Sequence, residues 1–241
     1  WNPCHNHVVF ISYLYGEVRN LNFDNLTVIG RLYTTDGSFY VGGVVGENYG
    51  YVHDIRVTKG FVQGLRYVGG IVGESTNPYN DESLNGGVLN NLYYEGHVSG
   101  NTSVGGILGK GELENSSAKV VVNGFGSKIG GLVGEGKVSS SQVEGSISLR
   151  EFSSSEKSSV HYVGGAIGDG KAGHILAKMN IYVPDARMVS VSHVGGIAGY
   201  AELVDHCVFW GRIEGHHYIG GLVGDLYTGY LYSEGSISYS Y

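Results

Sequence analysis

The sequence holds only 3 proline and 2 cysteine residues in 241. Two cysteines cannot build a disulfide framework. Charge is also sparse, at 15% of residues, with 15 Lys and Arg against 22 Asp and Glu and a net charge of −7. That excludes the basic stripe a nucleic-acid partner requires. No basic amphipathic helix is present to lie on a membrane. No apolar run approaches the roughly 18 residues of a membrane-spanning helix. The opening "WNPCHNHVVF" has neither an initiating Met nor a signal-peptide pattern, and reads as a processed mature end or an excised segment. Apolar residues nowhere recur at helical spacing over a useful length, and the wealth of Gly, Ser and Tyr disfavours helices.

What is abundant is glycine, 42 residues of it, without the Gly-X-Y period of collagen. The hydrophobic fraction of 41% is near average, so the chain is not broadly disordered. The glycines sit in a repeat: "VGGVVG" from Val41, "VGGIVG" from Val68, "VGGILG" from Val104, "IGGLVG" from Ile129, "VGGAIG" from Val163, "VGGIAG" from Val194 and "IGGLVG" from Ile219. Successive starts lie 27, 36, 25, 34, 31 and 25 residues apart. A second element follows most copies, as in "YYEGHVSG" from Tyr93, "QVEGSISL" from Gln142, "VFWGRIEG" from Val208 and "LYSEGSIS" from Leu231. It alternates apolar and polar residues around a glycine, the periodicity of a strand. "GEVRNLNFDNLTVIG" from Gly16 alternates in the same way and reads as an opening coil.

Each period thus holds two or three short strands. Periods as short as 25 residues are too small for propeller blades, which need about 40. The pattern predicts an all-β chain folded as a right-handed parallel β-helix (β-solenoid) of about eight coils, on the order of 40 Å long at 4.8 Å per coil. Residues 1–15 are expected to form an N-terminal segment or cap and residues 16–241 the solenoid. Val41 and its equivalents are expected in the core. The glycines are expected to supply positive φ at corners and close approach between walls.

The "[VI]GG[ILVA][VLIA]G" core with its "EGxI" strand resembles the GLUG motif. That repeat occurs in bacterial surface proteins, including large adhesins and the streptococcal metallopeptidases that cleave immunoglobulin A. The resemblance runs from about Gly16 to the C-terminus. It implies a β-solenoid in a secreted or surface-attached protein. Those peptidases carry zinc ligands as His-Glu-x-x-His in a separate domain. That motif is missing from this chain, so the resemblance implies no peptidase activity.

Two columns flank the repeat. The residue before each copy is Tyr40, Tyr67, Ser103, Lys128, Tyr162, His193 or Tyr218. Strand alternation turns this column outward if the next residue points in. The five aromatic members, Tyr40, Tyr67, Tyr162, His193 and Tyr218, then either offer ring faces to a sugar or a protein receptor, or simply stabilise the ladder by stacking. The residue after each copy is Glu47, Glu74, Lys110, Glu135, Asp169, Tyr200 or Asp225. Five acids in one column suit a hard cation such as Ca²⁺. Adjacent acids repel, however, and Lys110 and Tyr200 interrupt the row, which favours a solvated turn.

Of the ten histidines, His5 with His7 and His216 with His217 form close pairs, and His161 and His193 occupy related repeat positions. None has a partner at zinc-ligand spacing, so no metal or cofactor is expected. Cys207 aligns with Ser141, Leu92 and Leu231, an inward position, and is expected as a small buried hydrophobe too far from Cys4 for a disulfide. Asn25, Asn101 and Asn115 begin glycosylation patterns and agree with an extracellular setting. The inserts "GESTNPYNDESLNGG" from Gly73 and "REFSSSEKSSVHY" from Arg150 either edge a cleft or form solvated excursions.

"SEGSISYSY" stops inside a strand pattern. A larger parent chain, end-to-end self-association, or shielding loops would each cover that edge. The favoured expectation is a non-catalytic extracellular surface structural or adhesive module or filament subunit, with no nucleic acid and no membrane span. The alternative is a carbohydrate-binding or polysaccharide-cleaving β-helix, which would show close, clustered carboxylates in a cleft.

Overall fold

The computed structural model describes residues 9–30, 39–76, 87–149, 161–183, 192–215, 217–227, 236–238 and 240. These residues are all-β, and every strand pairing among them is parallel. The strands form two sheets. The smaller has seven strands and contains the start of every glycine copy: Val41–Gly42, Arg66–Gly69, Thr102–Gly105, Ile129–Gly130, His161–Gly164, Ser192–Gly195 and Ile219–Gly220. They pair in chain order, Val to Val and Gly to Gly, as in Val41↔Val68 and Val104↔Ile129. The larger sheet has sixteen strands and takes up the rest of each period, as in Leu108–Glu114 and Ser117–Gly124. Its pairing begins at Ile11–Leu14, where Ile11 lies opposite Val45, inside the segment assigned above to the N-terminal cap.

Three apolar residues of each of the first six copies line the core, the middle one being Val44, Ile71, Ile107, Leu132, Ala166 or Ile197. Val41, Val68, Val104, Ile129, Val163 and Val194 have no exposed surface, and neither have Val45, Val72, Leu108, Val133, Ile167 and Ala198. Each large apolar side chain so buried contributes about 1.5–3 kcal/mol. The row ends in Ile219, which is 47% exposed.

The glycines of the motif work by close approach alone. A Cβ on Gly105 would strike the carbonyl oxygen of Leu108 in the same turn, one on Gly106 that of Gly131 in the next period, and one on Gly109 the backbone at Tyr67 and Val68 in the previous period. None of the three needs positive φ. The repeat pattern predicts that conformation at these glycines. The structure gives it instead to the residue before four of the seven copies, Tyr67, Ser103, Lys128 and Tyr218, at φ of 47°, 52°, 61° and 28°, and to glycines outside the motif such as Gly111, Gly136 and Gly145, at 134°, 131° and 142°. At those four copies the corner is turned one position earlier, and the motif glycines let the walls close behind it.

A second corner lies in the larger sheet. Asn20, Asp54, Asn91, Asn115, Ser140, His174 and His206 all have φ between 47° and 56°. The strand registers on either side stack them one above another. Asn, Asp and His are the side chains that best tolerate this conformation. The residue after the corner points inward. There Ser116 and Ser141 donate their hydroxyls to the carbonyls of Glu114 and Ser139, both at 2.6 Å. Each hydroxyl also accepts from the preceding period, Leu92 N–H onto Ser116 and Ser116 N–H onto Ser141, both at 3.0 Å. Cys207 holds the same place, with Sγ 3.2 Å from the carbonyl of Asp205 and no exposed surface. Burial raises its thiol pKa. Cys4 lies outside the described residues.

Candidate functional site

The two columns flanking the glycine motif face each other. On the acidic side the register runs Tyr13, Glu47, Glu74, Lys110, Glu135, Asp169, Tyr200, Asp225, each opposite the next. On the aromatic side Tyr40 stacks on Tyr67 with centroids 5.3 Å apart and planes 10° apart, and His193 stacks on Tyr218 at 4.7 Å and 6°. Tyr162 meets His193 at 5.4 Å, tilted by 37°.

Residues that looked like interruptions are the links between the columns. Lys110, among the acids, reaches the Glu74 carboxylate at 3.2 Å and lies 5.5 Å from the centre of the Tyr67 ring. Lys128, among the aromatics, reaches Glu135 at 3.1 Å and Asp169 at 3.0 Å. Ser103 donates to the other oxygen of Glu135 at 3.1 Å. Tyr200, among the acids, meets Tyr162 at 5.1 Å, and the Tyr49 hydroxyl donates to Glu47. Within and between the columns, the acids are thus spaced by cations and hydroxyls.

Enclosure shifts the acidity of these groups. Burial raises the pKa of Glu74, assisted by Glu47 and Glu135, and Lys110 only partly opposes it. Burial also raises Asp169 against the pull of Lys128. For Lys128 burial works to lower the pKa, but the hydrogen bonds to Asp169 and Glu135 prevail and raise it. Lys110 likewise ends raised, because Glu74 outweighs the burial. Burial, then nearby carboxylates, raises Tyr40 and Tyr162.

The expected outward face of tyrosines is therefore a half-buried ladder over most of its length. Tyr40, Tyr67, Tyr162 and His193 are partly covered, Ser103 is 1% exposed, and Tyr218 at 63% is the open member. The acidic column is not the solvated turn expected either: Glu47 is 9% exposed, and the side chains of Glu74 and Asp169 are 13% and 22% exposed. Nδ1 of His193 is buried and makes no aligned hydrogen bond, its charged neighbour being the Asp225 carboxylate at 3.4 Å. His161 stands opposite Ser192, one place from the His193 column to which it seemed related, and bonds through Nδ1 to the carbonyl of Gly126.

Asn25 and Asn115 are exposed and Asn101 is partly covered. His5, His7 and His216 lie outside the described residues, as does most of both inserts, at 77–86 and 150–160. No helix among the described residues is long and apolar enough to cross a membrane, which leaves strand-built spans unaddressed.

One grouping escaped the sequence. His174 and His206 stack at 4.7 Å with planes 2° apart, and Nδ1 of His206 lies 2.8 Å from Asp205. They are 32 residues apart, too far for a local motif. The signal was the repeat alignment, since "HILAKMNIY" from His174 and "HCVFWGRIE" from His206 begin equivalent strands.

Comparison with family models, with curated proteins and with solved structures finds no match to this chain.

Proposed function

We propose that this chain is a GLUG-type β-solenoid of about eight right-handed coils that serves, outside the cell or on its surface, as a non-catalytic structural or adhesive module or filament subunit. The observation that carries this reading is the single register shared by all seven glycine copies in one parallel sheet. A ladder of that length is a scaffold whose every rung is fixed by its neighbours. The state of the acids also favours it. Glu74, Glu135 and Asp169 are held by Lys110 and Lys128, an arrangement that stabilises stacked rungs and leaves no pair of free carboxylates at that row to share acid and base roles.

End-to-end self-association, or continuation into a larger parent chain, would pair the last rung and cover Ile219. Electron microscopy tests this: filaments or end-joined rods that lengthen with concentration are expected of a filament subunit, and unjoined particles at high concentration exclude that role.

The alternative reading, carbohydrate recognition, is favoured by exposed rings on the described surface: Trp210 at 65%, Tyr218 at 63% and Tyr182 at 50%. A sugar stacks on such rings while its hydroxyls bond to adjacent polar side chains. A glycan array read with the natural chain and with a Tyr162→Ala/Tyr218→Ala variant separates the two. Binding lost in the variant supports recognition through the aromatic column. Equal and negligible signals leave the structural role. Surface exposure makes Asn25 and Asn115 the best placed glycan carriers, which intact mass before and after glycosidase treatment would reveal.

A further inference from the structure

We propose that His174, His206 and Asp205 form a binding site for a divalent late first-row transition metal of the zinc type. One ligand atom from each lies within 4.8 Å of the other two. The site follows from the αL corner. At earlier rungs the corner residue is Asn, Asp or Ser. At the last two described rungs it is His, with φ of 55° and 49°, so both imidazoles leave the chain in the same direction one rung apart. Asp205 precedes His206 directly and adds the carboxylate.

Two imidazoles and one carboxylate suit zinc, copper or nickel, whereas calcium and magnesium prefer all-oxygen shells. Three protein ligands leave a position for water or another molecule. Zinc bonds these atoms at about 2.0–2.2 Å, so any two ligands stand about 3.5 Å apart in a tetrahedral shell. The separation of up to 4.8 Å therefore requires one side chain to swing inward by about an ångström. The exposure of both histidines permits that rotation. Nδ1 of His206 already stands 2.8 Å from the Asp205 carboxylate, so a metal bound by both would take this pair of atoms in place of their contact.

The same corner offers an internal contrast. His53 also lies beside carboxylates, but Nδ1 bonds Asp54 at 2.7 Å and Nε2 bonds Glu17 at 2.8 Å, so both nitrogens are spent. His53→Ala is thus the matched control.

The experiment is calorimetric titration of the whole chain with Zn²⁺, at fixed pH, on the natural protein and on His174→Ala, His206→Ala and His53→Ala, each checked for an unchanged circular dichroism spectrum. The natural chain should bind one zinc ion that both of the first two variants bind at least tenfold more weakly, while His53→Ala retains it. Ca²⁺ should not compete. Because terminal histidines also take up zinc, the measure is the difference between variants. Zinc binding by His174→Ala equal to that of the natural chain overturns the proposal. A second readout needs no variant: nitrogen resonances of the His174 and His206 rings must move together on adding one equivalent of Zn²⁺, and rings that stay unmoved overturn it as well.

Discussion

The Lys128 ammonium sits 3.0 Å from the carboxylate of Asp169, a residue of the following repeat period. The same ammonium holds Glu135, so one cation spaces two acids that the register places directly opposite each other. The three side chains are between 22% and 28% exposed, which keeps solvent from screening them fully. Lys128→Met should cost about 1–2 kcal/mol at neutral pH, between the values for exposed and buried pairs. Adding Asp169→Asn to that variant should restore part of the loss, because it removes the unpaired acid. Urea unfolding of the three variants measures this; a double variant less stable than Lys128→Met would contradict it.

The same pair sets a pH dependence. Asp169 has a raised native pKa, chiefly through burial. Between its ordinary value of about 4 and the native value, the native state binds more protons than the unfolded state. Its share of stability is therefore present at low pH and falls as pH rises through that window. Lys128→Met removes the group that opposes the rise and widens the window. The variant's deficit should be greatest at neutral pH and shrink towards pH 4. Melting temperatures of both chains between pH 4 and 7 test this, and a constant deficit would argue against it.

Gly106 and Gly221 hold the same place in the motif with opposite surroundings. A Cβ on Gly106 collides with the carbonyl of Gly131, whereas one on Gly221 meets nothing within 4 Å. Gly106→Ala should destabilise by about 3 kcal/mol or more, since backbone on the next rung cannot yield without moving the ladder. Gly221→Ala should fall within about 0.5 kcal/mol of the natural chain. Thermal melts of the two decide, and equal effects would mean the glycines act through the unfolded state instead.

Cys207 stands where Ser116 and Ser141 stand in earlier periods, and all three reach the carbonyl two residues back. Cys207→Ser should therefore be tolerated within about 1 kcal/mol, although Cys-to-Ser changes in apolar cores leave a hydroxyl unpaired at greater cost. In a Cys4→Ser background the native thiol should resist a disulfide reagent and react only on unfolding, as its burial and raised pKa require.

Asn115 occupies the αL corner at φ 47°. Asn115→Gly should change stability by only a few tenths of a kcal/mol, and Asn115→Val should cost about 1–2 kcal/mol, because a branched Cβ opposes left-handed backbone. Similar values for both would show that the corner relaxes.

Period-two alternation and seven glycine copies were legible in the sequence because both are local, and they suffice for an all-β chain with Val41 and its equivalents inside. Burial of Cys207 followed from the same alignment. The sequence also placed Lys110, Lys128 and Tyr200 as exceptions in their columns, since a column read alone shows only what breaks it. Only the tertiary structure brought the columns face to face, so that Lys128 became the partner of Asp169 and a supposed solvated turn became a half-buried ladder. It likewise shifted positive φ from the motif glycines to Tyr67, Ser103, Lys128 and Tyr218, and joined His174 to His206 across 32 residues. The physical reason is the same each time. Periodicity tells which way a side chain points along its own strand, whereas its partner, exposure and charge environment depend on the rung above, the rung below and the wall opposite.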